Sequence, residues 1–316
     1  MAESITMSGQ LSIRWIANKI NGFLNEVVGT DDYDFVVASD TDSVYLRLGV
    51  LVDKFCKGKE TDKVVDFLDK AAREIIQPFI DKSYEDLATL MNAYQNKMVM
   101  EREVIADKGI WTAKKRYILN VHDSEGVRYT TPKQKIMGIE TTRSSTPNVV
   151  RQKLKDAIKI ILDNTEKDLI RFVDDFRNEF RQMDPEDVAF PRGVSNLNKY
   201  ADPNSIYKKS TPIAVKGALL YNFYLRQNNL TKKYSTIQEG DKVKFIYLKT
   251  PNPISGVSGK DHIISFVSSL PKEFDLLDYI DYNTQFEKSF LDPLEHIVSA
   301  IGWSFEKRNT LEGFFV

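Results

Sequence analysis

Two aspartates, one residue apart, are the residues of this sequence best suited to chemistry. Asp40 and Asp42 stand between two β-prone runs, residues 35–37 and 44–46, with small polar residues between them. This pattern predicts a hairpin with the acids at its tip, and strand alternation would place both side chains on the same side. A solvated turn is the alternative explanation of the spacing, and the apolar run before Asp40 favours a strand that rises out of a core.

Paired carboxylates in this position favour metal-dependent phosphoryl transfer. Two like charges placed so close repel each other unless a cation lies between them. Mg²⁺ takes carboxylate oxygens together with substrate phosphates, and a pair of ions can hold both the attacking and the leaving oxygen. The hairpin therefore predicts a magnesium site.

Composition limits the remaining classes. A chain of 316 residues is long enough for two domains with a real core. No apolar run approaches the ~20 residues of a membrane helix, and the N-terminus lacks a secretory signal pattern. Cys56 is the one cysteine, which excludes an internal disulfide and a cysteine zinc site, and three histidines are scattered. With a net charge of −1, any nucleic-acid contact must come from local patches.

The elements that must position the acids follow from periodicity and turn signals. A helix is predicted over residues 4–28, then a loop over 49–60. A helical region over 61–95 is expected to break or kink at Pro78. Strands are predicted at 97–106, 110–121 and 127–130, with turns at 107–109 and 123–126. We expect these strands to form an antiparallel sheet joined to the acidic hairpin.

A basic run, Lys114-Lys115-Arg116-Tyr117, falls inside the second of these strands. Lysine meets a phosphate as a point charge and arginine meets it as a fork, so the run favours a contact with a nucleic-acid backbone or minor groove. An exposed strand edge, protected by charge against aggregation, is the alternative.

Residues 126–160 form the most basic segment of the chain. Eight lysines and arginines, Lys135 and Arg143 among them, oppose two acids there. The local net charge of plus six, eight minus two, predicts a track for a polyanion. Ser145 or Thr146 is expected to cap a helix with Pro147 in its first turn. From there the pattern predicts helices at 147–164 and 165–182, a loop-rich stretch at 184–210, a helix from 216, a strand near 240–248 and a last helix at 281–302.

Several motifs resemble those of family B DNA polymerases, in the order of that family. Asp40-Thr41-Asp42-Ser43 resembles the palm motif that binds the catalytic metals, with Ala38-Ser39 where the family usually has Tyr-Gly. The basic run at 114–117 resembles the Lys-Lys-Arg-Tyr that touches the primer. Residues 135–138 and 144–147 resemble the palm-to-thumb junction of the T-even phage polymerases, and residues 216–222 resemble their thumb.

The resemblance implies an α+β fold, an antiparallel palm sheet with packed helices followed by a mostly helical thumb. It places the C-terminal half of the palm at 1–139, a duplex-binding thumb at 140–305 and a clamp-binding tail at 306–316. It implies nucleotidyl transfer with two Mg²⁺ ions, in which Asp42 bridges the ions and Asp40 tunes the site. The implied DNA contacts are Lys114, Lys115, Arg116, Tyr117, Lys135 and Arg143. Asp123 would lie near the same DNA-facing surface, although turn chemistry alone also explains it.

The last residues resemble a sliding-clamp peptide. Leu311, Phe314 and Phe315 match its aliphatic residue and aromatic pair, with Arg308 in place of the usual Gln. Two terminal aromatics suit a pocket on a partner better than water. Docking on the protein's own thumb is the alternative.

Other parts of the family pattern are missing from the chain. It lacks the motif that supplies the other palm aspartate, the fingers motif for the incoming nucleotide, and the exonuclease carboxylates. We therefore expect one subunit of a split polymerase, whose partners are an N-terminal subunit, primer-template DNA, deoxynucleoside triphosphates and a sliding clamp, in the cytoplasm of an infected bacterium. A cloned fragment or the product of a broken gene would look the same. Two rival functions are a non-catalytic DNA-binding and clamp-tethering module, and a cyclase with a palm-like sheet, which the basic junction and tail disfavour.

Overall fold

The computed structural model describes residues 2–254 and 261–306. It is α+β, with antiparallel sheets and packed helices, as predicted. The chain forms two compact units. The first contains the described residues up to Gly109 together with Leu119–Lys135, and the second contains Ile110–Ile118 and the described residues from Ile136 onward. The predicted domain limits at 139 and 305 stay predictions.

The first unit begins with helix α1, Ala2–Val28, in agreement with the predicted helix. Its buried residues, Ile16, Ile20, Leu24 and Val28, recur every fourth position, so they form one stripe along the helix. The antiparallel strands β1, Val36–Asp40, and β2, Ser43–Leu46, follow as the predicted hairpin.

The helical part of the first unit corrects two predictions. The predicted loop at 49–60 contains helix α2, Gly49–Phe55, because burial of Leu51 supports a helix too short to show a periodic pattern. Helices α3, Thr61–Ala71, and α4, Gln77–Leu90, are joined by the π-helical turn Ala72–Ile76. The helical path therefore continues through Pro78. In this turn the Gln77 N–H donates to Ala72, five residues back, and this shift in pairing accommodates the N–H that proline lacks.

Strands β3, Val104–Ala113, β4, Arg116–Ser124, and β5, Val127–Met137, are hydrogen-bonded in the order β3–β4–β5. The predicted turn at 107–109 is wrong, as is the predicted strand over 97–103. Asp107 instead accepts a hydrogen bond from the Asn120 side chain at 2.8 Å, so it serves a cross-strand contact. The actual turn is at Lys114-Lys115, where Lys115 takes the left-handed conformation, φ 62°.

The second unit packs helices α5, Asn148–Asp163, and α6, Glu166–Phe180, around a large core, close to the predicted bounds. The predicted cap of α5 is wrong, because Pro147 itself takes the capping position and no side chain bonds there. Helix α6 has a reciprocal cap between Thr165 and Asp168.

A second antiparallel sheet has the order β10–β9–β6, formed by Ile263–Phe266, Lys242–Tyr247 and Phe190–Gly193. Helix α9, Ile213–Gln227, crosses it at Gly217, where a β-carbon would lie 2.5 Å from the Ser265 hydroxyl.

The predicted final helix is divided into α10, Tyr282–Phe286, a π-helical turn, Glu287–Leu291, and α11, Asp292–Val298. The stretch predicted as loop-rich holds short elements: α7, Pro185–Val188, β6, α8, Leu197–Tyr200, β7, Ala201–Asp202, and β8, Ile206–Tyr207. Short 3₁₀ turns occupy Glu140–Thr142, Lys272–Phe274, Leu277–Tyr279 and Ser299–Ile301.

Candidate functional site

The tip of the β1–β2 hairpin carries both predicted acids. Asp40 ends β1 opposite Ser43, and Thr41-Asp42 form the turn, with Thr41 left-handed at φ 44°. The Asp42 N–H donates to the Asp40 carbonyl at 2.5 Å, and the Thr41 hydroxyl donates to the Asp40 carboxylate at 3.0 Å. Asp40 is half-buried, whereas Asp42 is exposed. The argument from strand alternation does not hold, because Asp42 lies in the turn and outside the strand.

Helix α1 holds the approach to this hairpin. The Asn21 side-chain oxygen accepts the backbone N–H of Phe35 at 2.8 Å and that of Val36 at 3.3 Å. One turn later, Asn25 bonds both backbone groups of Tyr33, at 2.8 Å each. Phe35 itself is wholly buried. Sequence reasoning missed these asparagines, although their spacing of four inside an apolar helix was a usable signal.

The hairpin provides oxygen ligands of the kind that Mg²⁺ prefers. In residues 2–254 and 261–306 no group of three or more His, Cys, Asp or Glu side chains is arranged to hold a metal ion. Asp40 and Asp42 therefore suit one side of a metal site whose remaining ligands come from elsewhere, as substrate phosphates do.

A second hairpin presents the basic run. Lys114 and Lys115 are exposed at the turn between β3 and β4, while Arg116 and Tyr117 are half-buried on β4. The ring of Tyr117 lies 6.4 Å from that of Trp111. The lysines therefore project two positive charges at a hairpin tip, not within a strand as predicted.

The other two predicted DNA contacts have acidic partners. The Lys135 ammonium is paired with the Glu103 carboxylate. The Arg143 guanidinium lies 3.0 Å from Glu140 and donates to the Gly138 carbonyl at 3.3 Å. An anion that binds either residue must compete with its carboxylate.

Asp123 is the most deeply buried acid of the predicted set, at 2% exposed. It is paired with Arg102 and lies 3.4 Å from Arg128, while it accepts the Gly126 N–H at 3.0 Å. Burial alone would raise the pKa of Asp123. The hydrogen bonds from Arg102 and Gly126 lower this pKa by more than burial raises it, so the net shift is downward. These contacts close the β4–β5 turn, which agrees with the turn-chemistry alternative.

The arginines extend the network to helix α3. Arg102 lies 2.7 Å from Asp69, and Arg128 lies 3.0 Å from Asp66. The network therefore ties the β4–β5 turn to α3 within the first unit.

The predicted residues are divided between the two units. Asp40, Asp42, Asp123 and Lys135 belong to the first unit, and the run Lys114–Tyr117 and Arg143 belong to the second. The predicted clamp contacts, Leu311, Phe314 and Phe315, lie outside the described residues.

Two curated relatives are similar to nearly the whole chain. The DNA-directed DNA polymerase of Escherichia phage RB69 is 39% identical over 99% of this chain. The DNA-directed DNA polymerase of Enterobacteria phage T4 is 36% identical over the same share. The chain spans about a third of each relative, 35% of its length. No family model matches the chain. Within the described residues, no helix has the length and apolar character needed to cross a membrane.

Proposed function

Because this chain is homologous along 99% of its length to the C-terminal part of the T-even-type family B DNA polymerases, we propose that it supplies part of the polymerase centre and the duplex-binding part of such an enzyme. The match of 99% of this chain to part of two phage DNA-directed DNA polymerases is the observation that carries the proposal. The carboxylate hairpin and the lysine hairpin give it a chemical basis.

The proposed reaction is nucleotidyl transfer on a primer-template. The primer hydroxyl attacks the α-phosphate of a deoxynucleoside triphosphate, and pyrophosphate leaves. Asp42, exposed in the turn, and Asp40, held by the Thr41 hydroxyl, would hold two Mg²⁺ ions together with ligands from outside this chain. When bound, the ions lower the barrier by stabilising the negative charge of the transferring phosphoryl group.

The basic residues would position the DNA. The exposed ammonium groups of Lys114 and Lys115 suit primer phosphates, and Tyr117 and Arg116 support the strand behind them. On α5, Arg151, Lys155 and Lys159 recur every fourth residue and would add positive charge for the duplex, whereas Lys153 is paired with Glu179 at 2.5 Å. We propose that residues 1–139 form the C-terminal half of a palm and residues 140–305 a thumb.

We further propose that the chain acts in an assembled enzyme, in the cytoplasm of the infected host. An N-terminal polypeptide would supply the exonuclease, the fingers and the first palm aspartate. The tail at 306–316, with Leu311, Phe314 and Phe315, would bind a sliding clamp. Support comes from the chain's share of its relatives, 35%, and from its two-carboxylate hairpin.

Replacement of Asp42 tests the metal-site proposal. In the assembled enzyme, Asp42→Ala should reduce primer extension by at least about 100-fold, because a charge that stabilises the transition state is lost. Primer-template affinity, measured by fluorescence anisotropy, should stay within about twofold, since phosphate contacts dominate it. Asp53→Ala, at an exposed acid of helix α2, is the matched control and should extend normally.

A non-catalytic DNA-binding and clamp-tethering module is the second candidate. The arrangement that favours it is the pair of acids without a third metal-ligating side chain in the described ranges. Under this function Asp42→Ala would extend primers as well as the unaltered enzyme, and that result would contradict the metal-site proposal.

A further inference from the structure

Two stretches of the first unit carry exposed apolar side chains and contain no charged residue. Residues 4–13 open helix α1, and residues 87–96 end helix α4 and continue beyond it. Ile5 is 70% exposed and Leu90 is 67% exposed. Apolar side chains at this exposure cost free energy in water unless something covers them.

The two stretches lie at the same end of an antiparallel helix pair. The ring of Phe23 on α1 stacks on Phe79 of α4 at 4.0 Å, and the Trp15 indole donates to the Ser83 carbonyl at 2.9 Å. The two helices therefore run in opposite directions, and the start of α1 lies beside the end of α4. At a rise of about 1.5 Å per residue, the first turns of α1 and the last turn of α4 extend past the Trp15–Ser83 contact on one side, and the chain continues from there through residues 91–96. We use the name apolar end patch for the most exposed apolar side chains of these two stretches: Ile5, Met7, Leu11, Leu90, Met91 and Tyr94.

The patch resembles the core of a protein–protein interface in its exposure and in its lack of charge. Helix α1 buries no residue before Ile16, so its first three turns lack packing support within the unit. Isolated helices of that length are marginal in water. The absence of charge over both stretches matches the core of a protein–protein interface, where charged residues are depleted.

We propose that the apolar end patch docks the polypeptide that carries the remaining two thirds of the polymerase. This inference rests on the proposed function. The relatives are about three times as long as this chain, and the matched part is C-terminal, so the rest of their sequence precedes it. In those proteins the preceding polypeptide must arrive at the first turns of the helix that corresponds to α1. Three members of the patch, Ile5, Met7 and Leu11, lie at those turns, which selects this partner over a second copy of the chain.

The test uses the polypeptide from the same genome whose sequence matches the remaining two thirds of the RB69 polymerase. Complexes are prepared by co-expression, and the dissociation constant is measured by sedimentation on dilution. The variant Ile5→Glu/Leu90→Glu should bind at least about tenfold more weakly, because two charges enter the interface core. The control Val27→Glu/Ile75→Glu adds the same charge at exposed apolar positions at the other end of the helix pair and should bind normally.

Hydrogen exchange of the unaltered chain is the second measurement. Residues 4–13 and 87–96 should gain protection on complex formation. Equal binding by both variants, no gain of protection there, a self-dimer formed through the patch that excludes the partner, or a genome that encodes no such polypeptide would each overturn the proposal. Primer extension by the complex separates the two claims. If the complex extends primers and the patch variant binds normally, only the proposed docking surface is wrong. If binding depends on the patch but the complex extends no primer, only the proposed polymerase function is wrong.

Discussion

Gly138 lies so close to Lys115 that a β-carbon at position 138 would come within 2.4 Å of the Lys115 carbonyl oxygen. Gly138 is also left-handed, with φ +69°, and Lys115 has φ 62°. The turn that presents the two lysines is therefore supported by a direct backbone approach that only glycine permits.

Gly138→Ala should lower the free energy of unfolding by roughly 2–4 kcal/mol, because the energetic cost of a positive φ and that of the backbone clash add up. Gly240→Ala is the matched control, since Gly240 has φ +85° and no atom within 4 Å of its β-carbon position. It should lose only about 1 kcal/mol. Urea unfolding measures both, and equal losses would show that the approach to Lys115 imposes no constraint.

Asp123→Asn should destabilise the chain by roughly 3 kcal/mol at neutral pH, because two arginines lose a buried partner. The folded pKa of Asp123 lies below its ordinary value of 3.8, so its contribution is complete above that value and is lost as the pH falls through the lower folded pKa. The stability difference between the two proteins should therefore shrink as the pH falls below 3.8.

Asp66→Asn is the control for that experiment. Asp66 also pairs with Arg128, but its side chain is 70% exposed, so the loss should be under about 1 kcal/mol. A difference between wild type and Asp123→Asn that does not change with pH would show that its charge contributes nothing.

Asn21→Ala should loosen the carboxylate hairpin, because the backbone N–H groups of Phe35 and Val36 lose their acceptor. We expect a stability loss of about 1–3 kcal/mol and slower primer extension by the assembled enzyme at unchanged DNA affinity. Asn18→Ala, on the exposed face of the same helix, corrects for helix propensity. If the two variants behave alike, Asn21 does not position the acids.

Lys115→Gln should weaken primer-template binding and reduce the slope of log affinity against log salt by about one if the lysine meets a phosphate. A contact with a base edge would instead appear mainly in the extension rate. Lys63→Gln, at an exposed lysine 3.5 Å from Glu60, should change neither. Unchanged affinity and rate for Lys115→Gln would show that the lysine turn is solvated and does not contact the primer-template.

Deletion of residues 308–316 should leave synthesis without a clamp unchanged and abolish stimulation by the cognate clamp, because tethering raises the local concentration on DNA. Phe314→Ala and Phe315→Ala should each cost about 2 kcal/mol of clamp binding. Arg308→Ala is the control within the tail. Full clamp stimulation of the shortened chain would exclude the tail as the binding segment.

Elements with a long hydrophobic period were predictable from the sequence. The buried residues of α1, α5 and α6 repeat over about three turns each, so their burial is visible in the spacing. The acidic hairpin was predictable because β-prone runs flank its polar turn. Helix α2, with two turns and one buried residue, offers too little pattern to distinguish it from a loop.

The lysine hairpin shows where local signals fail. Asp107-Lys108-Gly109 has the composition of a turn, yet these residues lie within β3. Nothing in the propensity of lysine favours a left-handed turn at position 115; the neighbouring main chain at Gly138, more than twenty residues later, makes room for it. Contacts of that range are absent from any short window of sequence.

The alternation of the two units along the chain limits how the protein can be divided. The chain passes between the units three times, after Gly109, Ile118 and Lys135. A single cut therefore cannot release two pieces that each hold a complete unit. A piece starting at residue 140 would lack Ile118, which is fully buried in the core of the second unit. Separate expression of that unit would require a circular permutation or a linker that restores residues 110–118 to it.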